Sequence, residues 1–295
     1  MKYLSLLVLI PILFYSCKKE ITQEIHKNIV VEGNQVPDYS GVSTLQVENY
    51  INKLYIDLIG EEPTEQELDQ KVALLKNNNL ALESREIIID ELLASDKYYK
   101  QLFRQTSAVY LNGILKEEIS NQIVSFAYIR TQLLINGDTL SAFIFDYEIG
   151  LLTELFKADQ DLKDGVITRN DFYGRFCLNY FFDQINMGSE NFVKATFENM
   201  LGRFPTESEL SNGENMANGI GGQLLLHSGN SKPDLVQIVS NSQEFYNHWV
   251  DFNYSALLGR SSTSEELEAA FILLANDDFS GVLINILKSD EYAGF

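Results

Sequence analysis

One frame recurs three times in this chain, and each occurrence dictates helix, turn and helix. The segments LIGEEPTEQEL, MLGRFPTESEL and LLGRSSTSEEL align on Gly60, Gly202 and Gly259. Thr64, Thr206 and Thr263 follow at one spacing, then Glu67, Glu209 and Glu266, then Leu68, Leu210 and Leu267. A helix ends readily at glycine, because the residue after the last turn commonly takes a left-handed conformation free of strain only without a Cβ. Threonine then caps the next helix, its hydroxyl accepting the N–H three residues on while that residue's glutamate accepts the threonine N–H. Leucine opens the buried stripe, continued after Leu68 by Val72 and Leu75 at helical spacing. The nine glycines, threonines and glutamates are therefore structural, and the glutamates are not offered as catalysts.

Each copy also closes alike. LLASDKYY, IVSNSQEFY and ILKSDEYAGF place Ser95, Ser242 and Ser289 three residues before Tyr98, Phe245 and Tyr292. Serine caps a further helix and the aromatic folds back onto the bundle. The glycine-to-serine distance varies between copies, which puts the variable linkers on one face of a repeat fold. The fold class is all-α: a helical bundle over 43–188, then tandem helical repeats over 189–295. Truncation before Ser289 is expected to expose Leu283, Ile286 and Leu287.

The first residues, MKYLSLLVLIPILFYSC, have a different character. Lys2, an apolar run from Leu4 to Tyr15 and small Ser16 before Cys17 form a secretory signal, with a run too short to span a bilayer. The pattern resembles the relaxed lipoprotein signal of Bacteroidota. That resemblance implies cleavage of 1–16, acylation of Cys17 and attachment to the outer membrane, with Lys18 in place of a retention aspartate. Cell surface and periplasmic face both stay open. Residues 17–42, with Gly33 and Pro37, read as a flexible tether holding the body off the membrane.

Charge narrows the partners. The chain carries 22 basic and 42 acidic residues, a formal net charge of −20. Nucleic acid is excluded as a partner, and the lipid, not the body, supplies membrane attachment. With Cys17 acylated, Cys177 has no disulfide partner and reads as a small buried residue.

The middle of the chain predicts helices near 119–135, 139–157 and 170–186, with turns at Asn112-Gly113 and Asn136-Gly137-Asp138. Between the last two helices, DQDLKDGVITRNDF resembles the second half of an EF-hand loop, and Asp159, Asp161, Asp164 and Asp171 are its calcium candidates. The first half of the pattern fails, since Gln160 and Leu162 occupy its first ligand positions when Gly165 is fixed. The alternative is an acidic turn bent at Gly165, with Thr168 capping the next helix. Phe172, Phe176 and Tyr180 recur at helical spacing and read as core before glycan platform. His227 and His248 lack a companion ligand. No nucleophile elbow, Walker loop or dinucleotide fingerprint is present, and Gly219–Gly222 reads as a loop.

Two family resemblances follow from the quoted motifs. Residues 191–295, with FVKATFENMLGRFPTESEL and SNSQEFY, resemble the tandem helical domains of unknown function in bacterial surface proteins, themselves similar to phycobilisome linker modules. Residues 47–135, with YINKLYIDLIGEEPTEQEL and IIIDELLASDKYYKQLF, resemble the uncharacterised helical domain attached to cytochrome modules of planctomycete-type surface proteins. Neither implies a catalytic residue, and Cys-x-x-Cys-His is absent. The expected function is a lipid-anchored, non-enzymatic interaction or assembly module without a cofactor, docking to an envelope protein complex. The alternative is a ligand-binding surface lipoprotein for glycan or calcium.

Overall fold

The computed structural model describes residues 39–295, which form one compact unit. The signal segment, Cys17 and the tether up to residue 38 lie outside the described residues. A 3-10 turn at Tyr39–Gly41 leads into α1 (Thr44–Ile59), α2 (Glu65–Asn77), α3 (Leu82–Leu93) and α4 (Asp96–Tyr110). Next come α5 (Lys116–Ile135), α6 (Thr139–Lys163), α7 (Arg169–Cys177) and α8 (Tyr180–Ile185). The remainder is α9 (Ser189–Leu201), α10 (Glu207–Ala217), strands β1 (Gly222–Leu224) and β2 (His227–Gly229), α11 (Lys232–Ser240), α12 (Gln243–Leu258), α13 (Ser264–Leu274), α14 (Phe279–Leu287) and α15 (Asp290–Ala293). The fold is all-α, with one short antiparallel ribbon among the described residues.

The three glycines end α1, α9 and α12 in the left-handed region, at φ of 70°, 67° and 71°. Three threonine–glutamate capping boxes then open α2, α10 and α13. In each, the glutamate carboxylate accepts the threonine N–H at 2.8 Å. Ser95, Ser242 and Ser289 cap α4, α12 and α15. The aromatic three residues after each serine is buried.

An ion pair also recurs, with its polarity reversed in one copy. Arg203, following Gly202, forks onto Glu209 at 2.8 and 2.9 Å and reaches Glu244, two residues after the capping Ser242, at 2.8 Å. Arg260 does the same with Glu266, at 2.8 and 2.9 Å, and with Glu291, at 2.7 Å. In the first copy Glu61 stands after Gly60, and Lys97 occupies the position two residues after Ser95, so the bond between them, 2.6 Å long, runs the other way. Each pair ties a turn to the start of a helix far along the chain.

Chain beginning and chain end meet. The Tyr39 hydroxyl donates to Asp290 at 2.9 Å, and the buried Arg85 donates to Asp290 at 2.7 Å and to the Lys288 carbonyl at 2.8 Å. Tyr292 is buried beside α1, donates to Asp57 at 2.8 Å and lies under the Lys53 ammonium at 3.8 Å from the ring centroid. Tyr39–Gly41, expected within the tether, is thus held against the folded body. Contacts also cross the expected boundary at 188/189: Tyr110 donates to the Asn199 carbonyl, and Trp249 donates to the Tyr173 hydroxyl, both at 3.1 Å.

Two expectations need correction. The helix expected over 170–186 is broken into α7 and α8, because Asn179 turns inward, its amide donating to the Arg175 and Phe176 carbonyls at 2.9 Å while its oxygen caps α8 at the Phe182 N–H. Gly222, read as loop, begins a β-ribbon whose turn places Leu225 and Leu226 at positive φ, without the usual Asn-Gly signal.

Candidate docking surface

Helices α5 and α6 form an antiparallel hairpin, and α5 lies chiefly along α6. The seam follows alternate three- and four-residue steps: Ile119, Ile123, Phe126, Arg130 and Leu133 on α5, and Ala142, Phe145, Ile149 and Leu152 on α6. Phe126 meets Phe145 edge-on at 5.1 Å and Tyr180 of α8 at 5.0 Å, where the hairpin leaves the body. Nearer the tip, Arg130 and Asp146 form an ion pair across the seam.

Beyond this seam the hairpin is apolar on its outer sides as well. Nine of the twenty-three large apolar side chains exposed among the described residues fall between Val124 and Tyr147. Leu140, Ile135 and Phe143 are 75%, 72% and 69% exposed, and Tyr128, Ile144 and Tyr147 are also open. Val124, Tyr128 and Ile135 each stand two residues from a seam position, which at 100° per residue carries them to the side away from α6. Leu140 and Tyr147 are displaced likewise from Ala142 and Phe145. Apolar side chains thus stand on the outer sides as well as in the seam, interspersed with exposed Ser125, Thr131 and Gln132.

The area is substantial. Taking roughly 150–250 Å² for a large side chain, the nine together leave on the order of 1,000 Å² open, above the 300–600 Å² of a typical monomer's largest patch and near the 800 Å² each partner contributes to a stable interface. Charge is sparse in the region, with Asp138 at the apex as its one unbalanced group. No acidic residue lies between Glu118 and Asp138, in a chain with 42 of them, and Arg130 and Asp146 neutralise each other. That acid-free stretch was the available sequence signal, and reading these helices simply as part of a bundle missed it.

The four calcium candidates do not converge. Asp159 is buried in α6 against Lys116, and Asp161 accepts from Arg175 at 2.6 Å. Asp164 accepts from Gln160 at 2.9 Å, and Asp171 closes the Thr168 capping box at the start of α7. Gly165 supplies the bend at φ 68°. Among the described residues no three His, Cys, Asp or Glu side chains come together to hold a metal. Phe172, Phe176 and Phe182 are core residues. Cys177 is buried, and burial pushes its thiol far above the ordinary range, which disfavours the thiolate. His227 is exposed on β2, while half-buried His248 on α12 is shifted down by desolvation. No described helix is long and apolar enough to cross a membrane. No family model, curated protein or solved structure matches this chain.

Proposed function

We propose that this protein is a lipid-anchored, non-enzymatic assembly module of the bacterial envelope that docks onto a membrane-associated protein complex through the α5–α6 hairpin. The observation that carries the reading is the uncovered apolar surface of Val124–Tyr147 on an otherwise strongly acidic body. The lipoprotein-like segment ending at Cys17 supports placement at the outer membrane.

A protein groove suits this hairpin better than a bilayer. Its apex is Asn136-Gly137-Asp138-Thr139, and Asp138 accepts the Ser141 N–H at 3.0 Å. That bond holds the Asp138 carboxyl below its usual range, so the group entering first would be a charged carboxylate, costly in hydrocarbon. A collar of lysines or arginines, usual for interfacial helices, is missing from the tip. A partner groove can instead offer the apex a polar contact and the two outer faces an apolar lining.

The test compares the native-gel migration of the solubilised protein with that of L140S/F143S. The proposed role predicts that the wild-type chain runs in an envelope complex and the variant runs free, while both melt alike. Co-migration of the variant with the complex would refute the hairpin as the docking element.

A further inference from the structure

A second feature, separate from the hairpin tip, points to a small ligand. A cleft of about 430 Å³ opens between the end of α1, the face of α4 and the turn leading into α5. This lies within the range of small-molecule pockets, about 300–1,000 Å³. Its floor is apolar, built from Ile59, Phe103 and Ile114. Around it stand Lys97, Lys100, Arg104 and Lys116, against only Glu61 and Asp159. In a chain with nearly two acids per base, this is a local reversal of sign.

The four cations are not equivalent. Lys97 is committed to Glu61 at 2.6 Å, and Lys116 is committed to Asp159. Lys100 and Arg104 form no ion pair among the described residues, and the carboxylates that act on them, Asp96 and Glu61 respectively, do so only at longer range, each being held first by a lysine. Lys100 and Arg104 stand four residues apart on α4, where like charges repel. Both side chains are exposed on the rim of the cleft, where an anion bridging them would relieve that repulsion. Arg104 offers a planar fork suited to a carboxylate or phosphate, and low-dielectric walls concentrate the field of the pair.

We propose that this cleft binds an amphiphilic anion, its charged head between Lys100 and Arg104 and its chain over Phe103 and Ile59. The simplest member of that class is a medium-chain fatty carboxylate. The site is independent of the docking role, since none of its lining residues belongs to the Val124–Tyr147 surface.

Isothermal titration of the full chain with decanoate tests the site, beside acetate as the head alone and 1-decanol as the chain alone. The expected result is one saturable equivalent of decanoate, with acetate and decanol at least tenfold weaker. K100Q/R104Q should lose tenfold or more with unchanged circular dichroism, and Leu115→Glu, at the exposed rim, should lose a comparable factor by placing a carboxylate at the mouth. L140S/F143S should bind decanoate as the wild type does. Competition by vesicles containing an anionic phospholipid would assign the head to a bilayer lipid, and indifference to them would assign it to a free acid; either agrees with the site. Absence of saturable decanoate binding would overturn it, as would equal binding of decanol or retention by both K100Q/R104Q and Leu115→Glu.

Discussion

The three capped turns and the α5–α6 hairpin are made from similar amphipathic helices, yet they are finished differently. At each turn the polar groups have partners: glycine takes the left-handed position, threonine and glutamate satisfy each other, and a charged pair reaches the start of α4, α12 or α15. Their aromatics, Tyr98, Phe245 and Tyr292, are buried. At the hairpin the seam is complete, but the outer sides expose Tyr128, Leu140 and Phe143, with nothing among the described residues to cover them. The turns are therefore satisfied within the body, whereas the hairpin leaves apolar surface open among the described residues, the surface that the proposed docking role uses. Substitutions in the two regions should divide accordingly, stability responding at the turns and association at the hairpin.

The largest stability loss is expected where the chain ends meet. Tyr292→Ala removes a buried ring together with its bond to Asp57, and by analogy with large aromatic truncations should cost about 3–5 kcal/mol in urea unfolding. Deletion of residues 289–295 should cost at least as much, and melting like the full chain would remove the closure from the account. Next come the caps. Thr64→Ala, Thr206→Ala and Thr263→Ala should each cost about 1 kcal/mol, checked by the same unfolding curves.

The ion pairs sharpen the contrast among the turns themselves. Arginine and threonine hydrogen bonds hold Glu209 and Glu266 down to about 2, from an ordinary value of 4.5. Glu67 is lowered first by its bonds to Thr64, and no arginine follows Gly60. Because the folded values are depressed, the stabilisation is whole above the ordinary carboxylate range and disappears as pH falls from there toward about 2. Arg203→Ala should raise the Glu209 titration midpoint, read by carboxyl NMR, and should be destabilising near neutrality, by a margin that narrows as pH falls toward about 2. An unmoved Glu209 midpoint would contradict the role given to the arginine. The smallest stability effect belongs to the hairpin, where Tyr128→Ser and Phe143→Ser should stay within about 0.5 kcal/mol of wild type by urea unfolding.

What the sequence revealed and what it concealed follow the same division. The turns were legible because their chemistry is local: Gly60 ends a helix by its own backbone freedom, and Thr64 finds Glu67 three residues away. Gly165 and Thr168 were legible for the same reason. The pairing of Arg203 with Glu244, and its reversal in Glu61 and Lys97, joins residues far apart in the chain and needed the fold. Asn179 looked like one more helical position until its buried amide found the Arg175 and Phe176 carbonyls. The leucines at 225 and 226 gave no turn signal for the β-ribbon. The hairpin was legible as two helices but not as a surface, since an apolar face reads as core until the neighbours are counted and one side has none. The calcium candidates show the converse: four carboxylates close in sequence are each held by a different partner in the fold, Lys116, Arg175, Gln160 and Thr168.

The most direct test of the docking role is a photo-crosslinker placed singly along the hairpin in living cells. Positions 124, 128, 135, 140, 143 and 147 should each trap the same envelope protein, whereas Phe252 and Ile272, equally exposed but outside the hairpin, should trap nothing specific. Crosslinks from Phe252 and Ile272 with hairpin positions silent would contradict the account and place the working surface elsewhere on the body.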